Sequence, residues 1–398
     1  MKHHPLPPVS FSTHSFQLDD EIVLFSEQTR RLFRLNNTAA FIWRGCEEGL
    51  EQDDIIDALS ETFDLSRQSV KNDVDSILSE WTRQGFLGAD TVFGSDQPDT
   101  DIEPSPTDLP QPLTRTDNYP LEGYYQLPGT GFRFRYASAS LADIARSVLG
   151  HLEVPEIQNI DITVDVYQDA SGFYLLRENG ITRYCTGEDE LAPLLHGFVL
   201  SSTYSATKCL LAIHAAAVSN GETCLVFPAL PGSGKSTLAA ALIASGYGYC
   251  TDELVLLQAQ THHVQAIAMA PAIKAGSWEV LKTYYPGIEN LPVYTRPDTQ
   301  KVRYLQPEKH QLPRDMAQQY QVQALLFPAY QAGAQPALTP VSPADALCRM
   351  TDAGTDIKGG LDLSHVTDII DWIGGIDSYE LRYSDLDDAI THVRTLLP

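Results

Sequence analysis

Lys235 and Ser236 close the run Ala229-Leu-Pro-Gly-Ser-Gly-Lys-Ser-Thr237, and the acidic pair Asp252-Glu253 comes sixteen residues after Ser236. An ammonium, a hydroxyl and two carboxylates at these intervals suit chemistry on a phosphate. Gly232 and Gly234 can take backbone angles closed to other residues, so successive N–H groups can turn inward on an anion. Lys235 would neutralise the β- and γ-phosphates of ATP, and the Ser236 hydroxyl would be a ligand to Mg2+. Pro231, Gly232, Ser233, Gly234, Lys235, Ser236 and Thr237 are therefore the expected nucleotide-binding residues. Ala229 stands where the usual phosphate-loop pattern has its first glycine, a position that tolerates a small residue. A carboxylate near a γ-phosphate can take a proton from an attacking hydroxyl, and its neighbour can hold the metal. Asp252 and Glu253 are the acidic pair so placed. His214, twenty-one residues before Lys235, is the third candidate group.

These side chains meet only if the elements between them fold back. Glu222–Pro228 is an apolar run of strand formers, and Leu238–Ser245 reads as an Ala/Leu-rich helix that ends at Gly246. That is the strand–loop–helix context a phosphate-binding loop requires, with the helix N-terminus adding free donors and its positive dipole end. The helix and a short return strand would carry Asp252 back beside the loop. His214 opens the Ala-Ala-Ala-Val run that should form the preceding strand. Downstream, 323–327 reads as a buried strand, 342–347 as the start of a helix, 369–373 as helix, 378–383 as strand and 385–397 as a closing helix. Lys274 and Arg303 are possible clamps on phosphate charge, with a solvated surface base an equally good account of each. Tyr284, Tyr285 and Tyr294 could line a pocket, but packing explains them better.

At 398 residues the chain is long enough for two or three domains, and 43% hydrophobic with 20% charged residues fits a globular protein. The balance of 27 Lys+Arg against 52 Asp+Glu gives a formal charge of −25. Such a surface repels nucleic acid and anionic lipid, so neither is an expected partner. Six cysteines are scattered without a Cys-x-x-Cys pair, which argues against a zinc site or a disulfide framework. No signal-peptide core follows Met1-Lys-His-His4, and no apolar run is long enough to span a membrane. A cytoplasmic location is expected, and His3 and His4 carry no metal-site reading of their own.

Four regions follow from the pattern, giving a multidomain α+β and α/β chain. Residues 1–90 form a small unit: Glu21–Phe25 and Arg31–Leu35 pair as a hairpin, and three helices follow. The helices start after Asn36, near Gln52 and at Ser66, and the third presents Val70, Val74, Ile77, Leu78 and Trp81 on one face. The layout is winged-helix-like, but the third helix lacks the basic stripe of a DNA reader. Residues 91–120 are acidic and proline-rich and read as an extended tether. Residues 121–205 read as a β-rich lobe with an Asn179-Gly180 hairpin turn, and 206–398 hold the phosphate chemistry.

Two resemblances are carried by these residues. Leu35-Asn-x-Thr38-Ala-Ala-x-Ile-Trp43, the Asp73-Val74 pair and the closing Gly85-Phe-Leu87 make residues 1–90 resemble PqqD-like peptide chaperones, also called RiPP recognition elements. That resemblance implies a partner: the leader of a ribosomally made precursor peptide, added as a strand to the hairpin edge and lying along the third helix. It points to Leu32, Phe33, Arg34 and Leu35 with Lys71, Val74 and Leu78 as the peptide groove. The set His214, Gly232-Ser-Gly-Lys-Ser236, Ser245-Gly246 and Asp252-Glu253 resembles HPr kinase/phosphorylase and its relatives, including kinases of lasso-peptide precursors. This implies a P-loop kinase core of the PEP-carboxykinase-like type, Mg-ATP, and transfer to a serine. On that analogy Asp252 is the general base, Glu253 and Ser236 handle Mg2+, and His214 supports the phosphate or the base. Glu253 replaces a second Asp, Ala215 a glycine, and Thr237 a usual Glu, and Ala270-Pro-Ala-Ile-Lys274 stands where the family has a glycine-rich signature. HPr as substrate and the reverse phosphorylase reaction are therefore not expected.

The expected function is an ATP-dependent kinase acting on a precursor peptide recruited through its leader. The alternatives are an ATP-binding switch or assembly factor for a peptide-modification complex, and a small-molecule kinase. Self-association, known among HPr kinases, and association with other peptide-modifying enzymes are both left open.

Overall fold

The computed structural model describes residues 5–88 and 118–398. The acidic tether read at 91–120 lies outside the described residues except for its last three, and His3 and His4 also lie outside them. The chain divides into two compact units, the first of which combines the N-terminal residues with Ser342–Cys348 and Gly359–Gly375.

The first unit opens with the antiparallel sheet β1 (Thr13–Leu18), β2 (Glu21–Ser26) and β3 (Arg31–Leu35). Three helices follow: α1 (Asn37–Glu48), α2 (Gln52–Phe63) and α3 (Arg67–Arg83). Their starts obey local chemistry. The Asn36 side chain accepts from the Ala39 N–H, and the Ser66 side chain accepts from the Ser69 N–H. Gly49 ends α1 in the left-handed region, at φ 66°. Ile22, Leu24 and Leu35 face these helices and join Trp43, Ile56, Val74 and Trp81 in one core. Strand β1 was not expected from the sequence, because Thr-His-Ser-Phe-Gln-Leu alternates only weakly.

Alternation along β2 sends Val23 and Phe25 to the opposite face of the sheet, yet both are fully shielded. The C-terminal segments of the unit pack against this sheet. The helix Leu363–Gly374 packs along β1, and Arg34 pairs with Asp345. The stretch drawn as one region at 206–398 thus gives up two pieces to the N-terminal unit. The physical reason is an apolar sheet face that three helices on the other side cannot bury.

The second unit begins with a six-stranded sheet in the order β6-β4-β5-β7-β8-β9. Its strands are β4 (Leu121–Leu127), β5 (Thr130–Tyr136), β6 (Glu153–Val154), β7 (Ile162–Gln168), β8 (Tyr174–Glu178) and β9 (Ile181–Cys185). Asn179 and Gly180 both take positive φ, 48° and 86°, as the two-residue hairpin turn between β8 and β9 requires. Helices α4 (Ala139–Leu149) and α5 (Glu188–Ala206) cover one face through Phe132, Phe134, Val148, Leu195 and Phe198. Helix α5 stops at Ala206, and the chain then enters the next sheet at Leu211–Ile213.

A second sheet leads into the glycine turn at 229–234. Its strands are β10 (Leu211–Ile213), β11 (Ala215–Ser219), β12 (Thr223–Pro228), β13 (Gly248–Thr251), β14 (Val255–Leu257) and β15 (His263–Gln265). After a small sheet of β16 (Ala272–Lys274), β17 (Tyr294–Thr295) and β18 (Lys301–Tyr304) come β19 (Gln319–Tyr330), β20 (Ala337–Pro340), β21 (Thr355–Asp356) and β22 (Ser378–Tyr383). The order is β13-β11-β12-β19-β15-β14-β10-β21, with β22 beside the far half of β19. Strand β19 runs parallel to both β12 and β22, so those three end on the same side. Helix α6 (Lys235–Ala244) returns from β12 and is buried along most of its length, from Leu238 to Ile243. Its core includes Phe227, Leu326, Leu381 and Val393.

Candidate active site

Strand β12 ends at Pro228, and the next six residues form the turn that opens α6. Two glycines make the turn possible. Gly232 has φ 91° and Gly234 has φ 92°, both in the left-handed region. Gly234 has a second constraint: a Cβ there would lie 2.5 Å from the Tyr383 hydroxyl. As N-cap it offers no side-chain acceptor, so the first N–H groups of α6 have no partner from a cap. Open donors at a helix N-terminus attract an anion.

A cleft at this turn is lined by Leu230–Thr237, His214, Asp252, Glu253, Lys274 and Arg296, among others. Asp252 arrives on the turn after β13, where the Thr251 hydroxyl accepts from the backbone N–H groups of Glu253 and Leu254. The Asp252 side chain is 2% exposed, and neither carboxylate oxygen closes a well-formed hydrogen bond. Burial pushes its pKa up to about 7, opposed by the nearby Lys235 ammonium and by weak donation from Ser236. Lys235 is itself buried, and its Nζ lies 3.0 Å from Nε2 of His214. Burial lowers the proton affinity of both Lys235 and His214, and the lysine beside it lowers the histidine further. A carboxylate with no well-formed hydrogen bond, buried next to a glycine turn, leaves a place for a hard cation or a proton.

The fit to magnesium follows from the donors. Among the described residues no three His, Cys, Asp or Glu side chains converge as a complete metal cage. Oxygen donors from Ser236 and Glu253, both lining the cleft, are nevertheless of the kind Mg2+ uses when water and phosphate complete its shell.

The structure brings together His214, Lys235, Ser236, Thr237, Asp252, Glu253 and Lys274 around the cleft. Thr237 hydrogen-bonds Ser277 at 2.6 Å. Arg303 does not join them: its guanidinium stacks 4.1 Å over the Trp278 ring and donates to the Ile288 carbonyl. Tyr284, Tyr285 and Tyr294 serve packing, with hydroxyls bonded to Asp387, the Ala240 carbonyl and Ser147. Arg296 was missed. It sits in the cleft 3.6 Å from Glu253 and 3.7 Å from Asp298. Its only signal was a lone arginine far downstream, which no spacing rule connects to the loop.

In the N-terminal unit, β3 pairs only with β2 among the described residues, so its outer edge is open. Leu32 and Phe33 are half-buried on that strand and Lys71 is exposed on α3. Leu35, Val74 and Leu78 need correction: they are core residues, 5%, 1% and 7% exposed, because each sits on the inward face of its element. Arg34 is engaged by Glu21 and Asp345.

Residues 21–87 match the family described as coenzyme PQQ synthesis protein D (PqqD), so this stretch is a PqqD domain. A solved structure titled "TbiB1 in Complex with the TbiA(beta) Leader Peptide" is 30% identical over 20% of this chain and 93% of that chain, with a TM-score of 0.20. Among curated proteins none matches the chain. No described helix is long and apolar enough to cross a membrane.

Proposed function

We propose that this protein is a kinase that transfers the γ-phosphoryl group of ATP to a hydroxyl, serine first, of a precursor peptide held by its leader. The observation that carries the reading is the buried carboxylate of Asp252, with no well-formed hydrogen bond, in the same cleft as Lys235 and the glycine turn. The acceptor oxygen would form a bond to the γ-phosphorus while the bond to the bridging oxygen of ADP breaks. The acceptor proton passes to Asp252, whose pKa near 7 suits a base at neutral pH. Lys235, the α6 N–H groups and Arg296 would meet the charge on the transferring group. Magnesium held by Ser236 and Glu253 would supply charge neutralisation when bound. The PqqD domain supports recruitment through a leader, and holding the peptide at one end raises the local concentration of its acceptor.

Transfer from γ-labelled ATP to candidate precursor peptides tests this reading. Asp252→Asn should cut transfer at least ~100-fold while keeping nucleotide binding, and Lys235→Ala should weaken both. Full activity in Asp252→Asn would remove the general base and with it the proposed reaction. Nucleotide binding without transfer to any peptide would favour a switch or assembly factor.

A further inference from the structure

Beside the glycine turn stands an aromatic ring that the phosphate chemistry does not use. Tyr330 is the last residue of β19 and is 57% exposed, although β19 is otherwise shielded over its second half. Isolated exposed apolar groups are ordinary. This one is fixed from two sides. Its backbone N–H reaches the Ser233 carbonyl at 3.4 Å, which ties it to the turn itself. Its ring meets Tyr383 edge-on at 5.8 Å, and the Tyr383 hydroxyl lies directly against Gly234.

Sheet order decides what this ring can face. Asp252 follows β13, which lies on one side of β12 beyond β11, while β19 and β22 lie on the other. A nucleotide whose γ-phosphate points at Asp252 must lay its sugar and base away from that side. Parallel strands β12, β19 and β22 end together there, and ligands of open α/β sheets lie at such carboxyl ends. We infer that Tyr330 is the stacking platform for the nucleobase, held in place by Tyr383 and the carbonyl of Ser233. The inference rests on the phosphate-loop reading above. A phenol face recognises any flat base, so the residue sets base against no base rather than adenine against guanine.

Binding to the full-length chain separates the two readings, with inorganic tripolyphosphate as the probe lacking a base. Wild type should bind ATP and, more weakly, tripolyphosphate. Tyr330→Ala should weaken ATP about 10-fold and leave tripolyphosphate unchanged, while Tyr330→Phe keeps both. Unchanged ATP affinity in Tyr330→Ala overturns the inference, and so does an equal loss for both ligands, which would mark a support for the turn. If wild type binds neither ligand, the phosphate-loop reading falls and takes this inference with it. Thermal melting of both variants checks that the fold is kept.

Discussion

In the proposed reaction the chemistry turns on Asp252, and its pH behaviour has a definite sign. Burial raises its pKa from the usual carboxylate range to about 7, so the side chain is protonated below neutrality and charged above it. A base must be charged to accept the acceptor proton. Transfer measured as kcat/KM should therefore fall as pH drops through about 7. A profile flat down to pH ~5 would show that no carboxylate of raised pKa is being used. The sequence made this residue legible through spacing alone: a loop, one helix and one short strand return Asp252 to the Lys235 side chain. Its lack of a well-formed hydrogen bond was not legible, because that depends on how β13 and α6 close around it. Arg296 and Tyr330 were hidden for a related reason: Arg296 enters the cleft just after β17, and Tyr330 ends β19 beside the glycine turn, both placed by tertiary order.

At the scale of elements, the N-terminal sheet shows what sequence pattern can and cannot decide. The hairpin of β2 and β3 and the three capped helices were legible from alternation, from Asn36 and Ser66, and from the apolar face of α3. The second apolar face, carrying Val23 and Phe25, was not, because the unit that shields it includes segments more than three hundred positions away. Phe25 is wholly buried, so Phe25→Ala should cost about 3–5 kcal/mol of stability in the unit, measured by urea unfolding. A cost below about 1 kcal/mol would mean that this face is not a packed interior. The same packing argues against removing residues 1–90 as a test of recruitment, because the cut would strip the helix Leu363–Gly374 of the sheet it covers. The groove reading was half legible in the same way. Strand alternation left Leu32 and Phe33 near the open edge, while helical periodicity placed Val74 and Leu78 inward.

For the whole molecule, the central claim is that the PqqD domain and the phosphate cleft act on one peptide. Tethered recognition makes a distinct kinetic demand: the acceptor segment alone must be a poor substrate, because the cleft gains it through local concentration. The measurement that tests this most directly is intact-mass analysis of peptides encoded beside this gene, incubated with Mg-ATP and the full chain. Each would be supplied once with its leader and once as the acceptor segment alone. The account predicts a gain of one phosphate on the leader-bearing peptide, at least ~10-fold faster than on the segment alone, and lost in Lys235→Ala. Equal rates with and without the leader, or ATP turnover with no mass gain on any peptide, would contradict it.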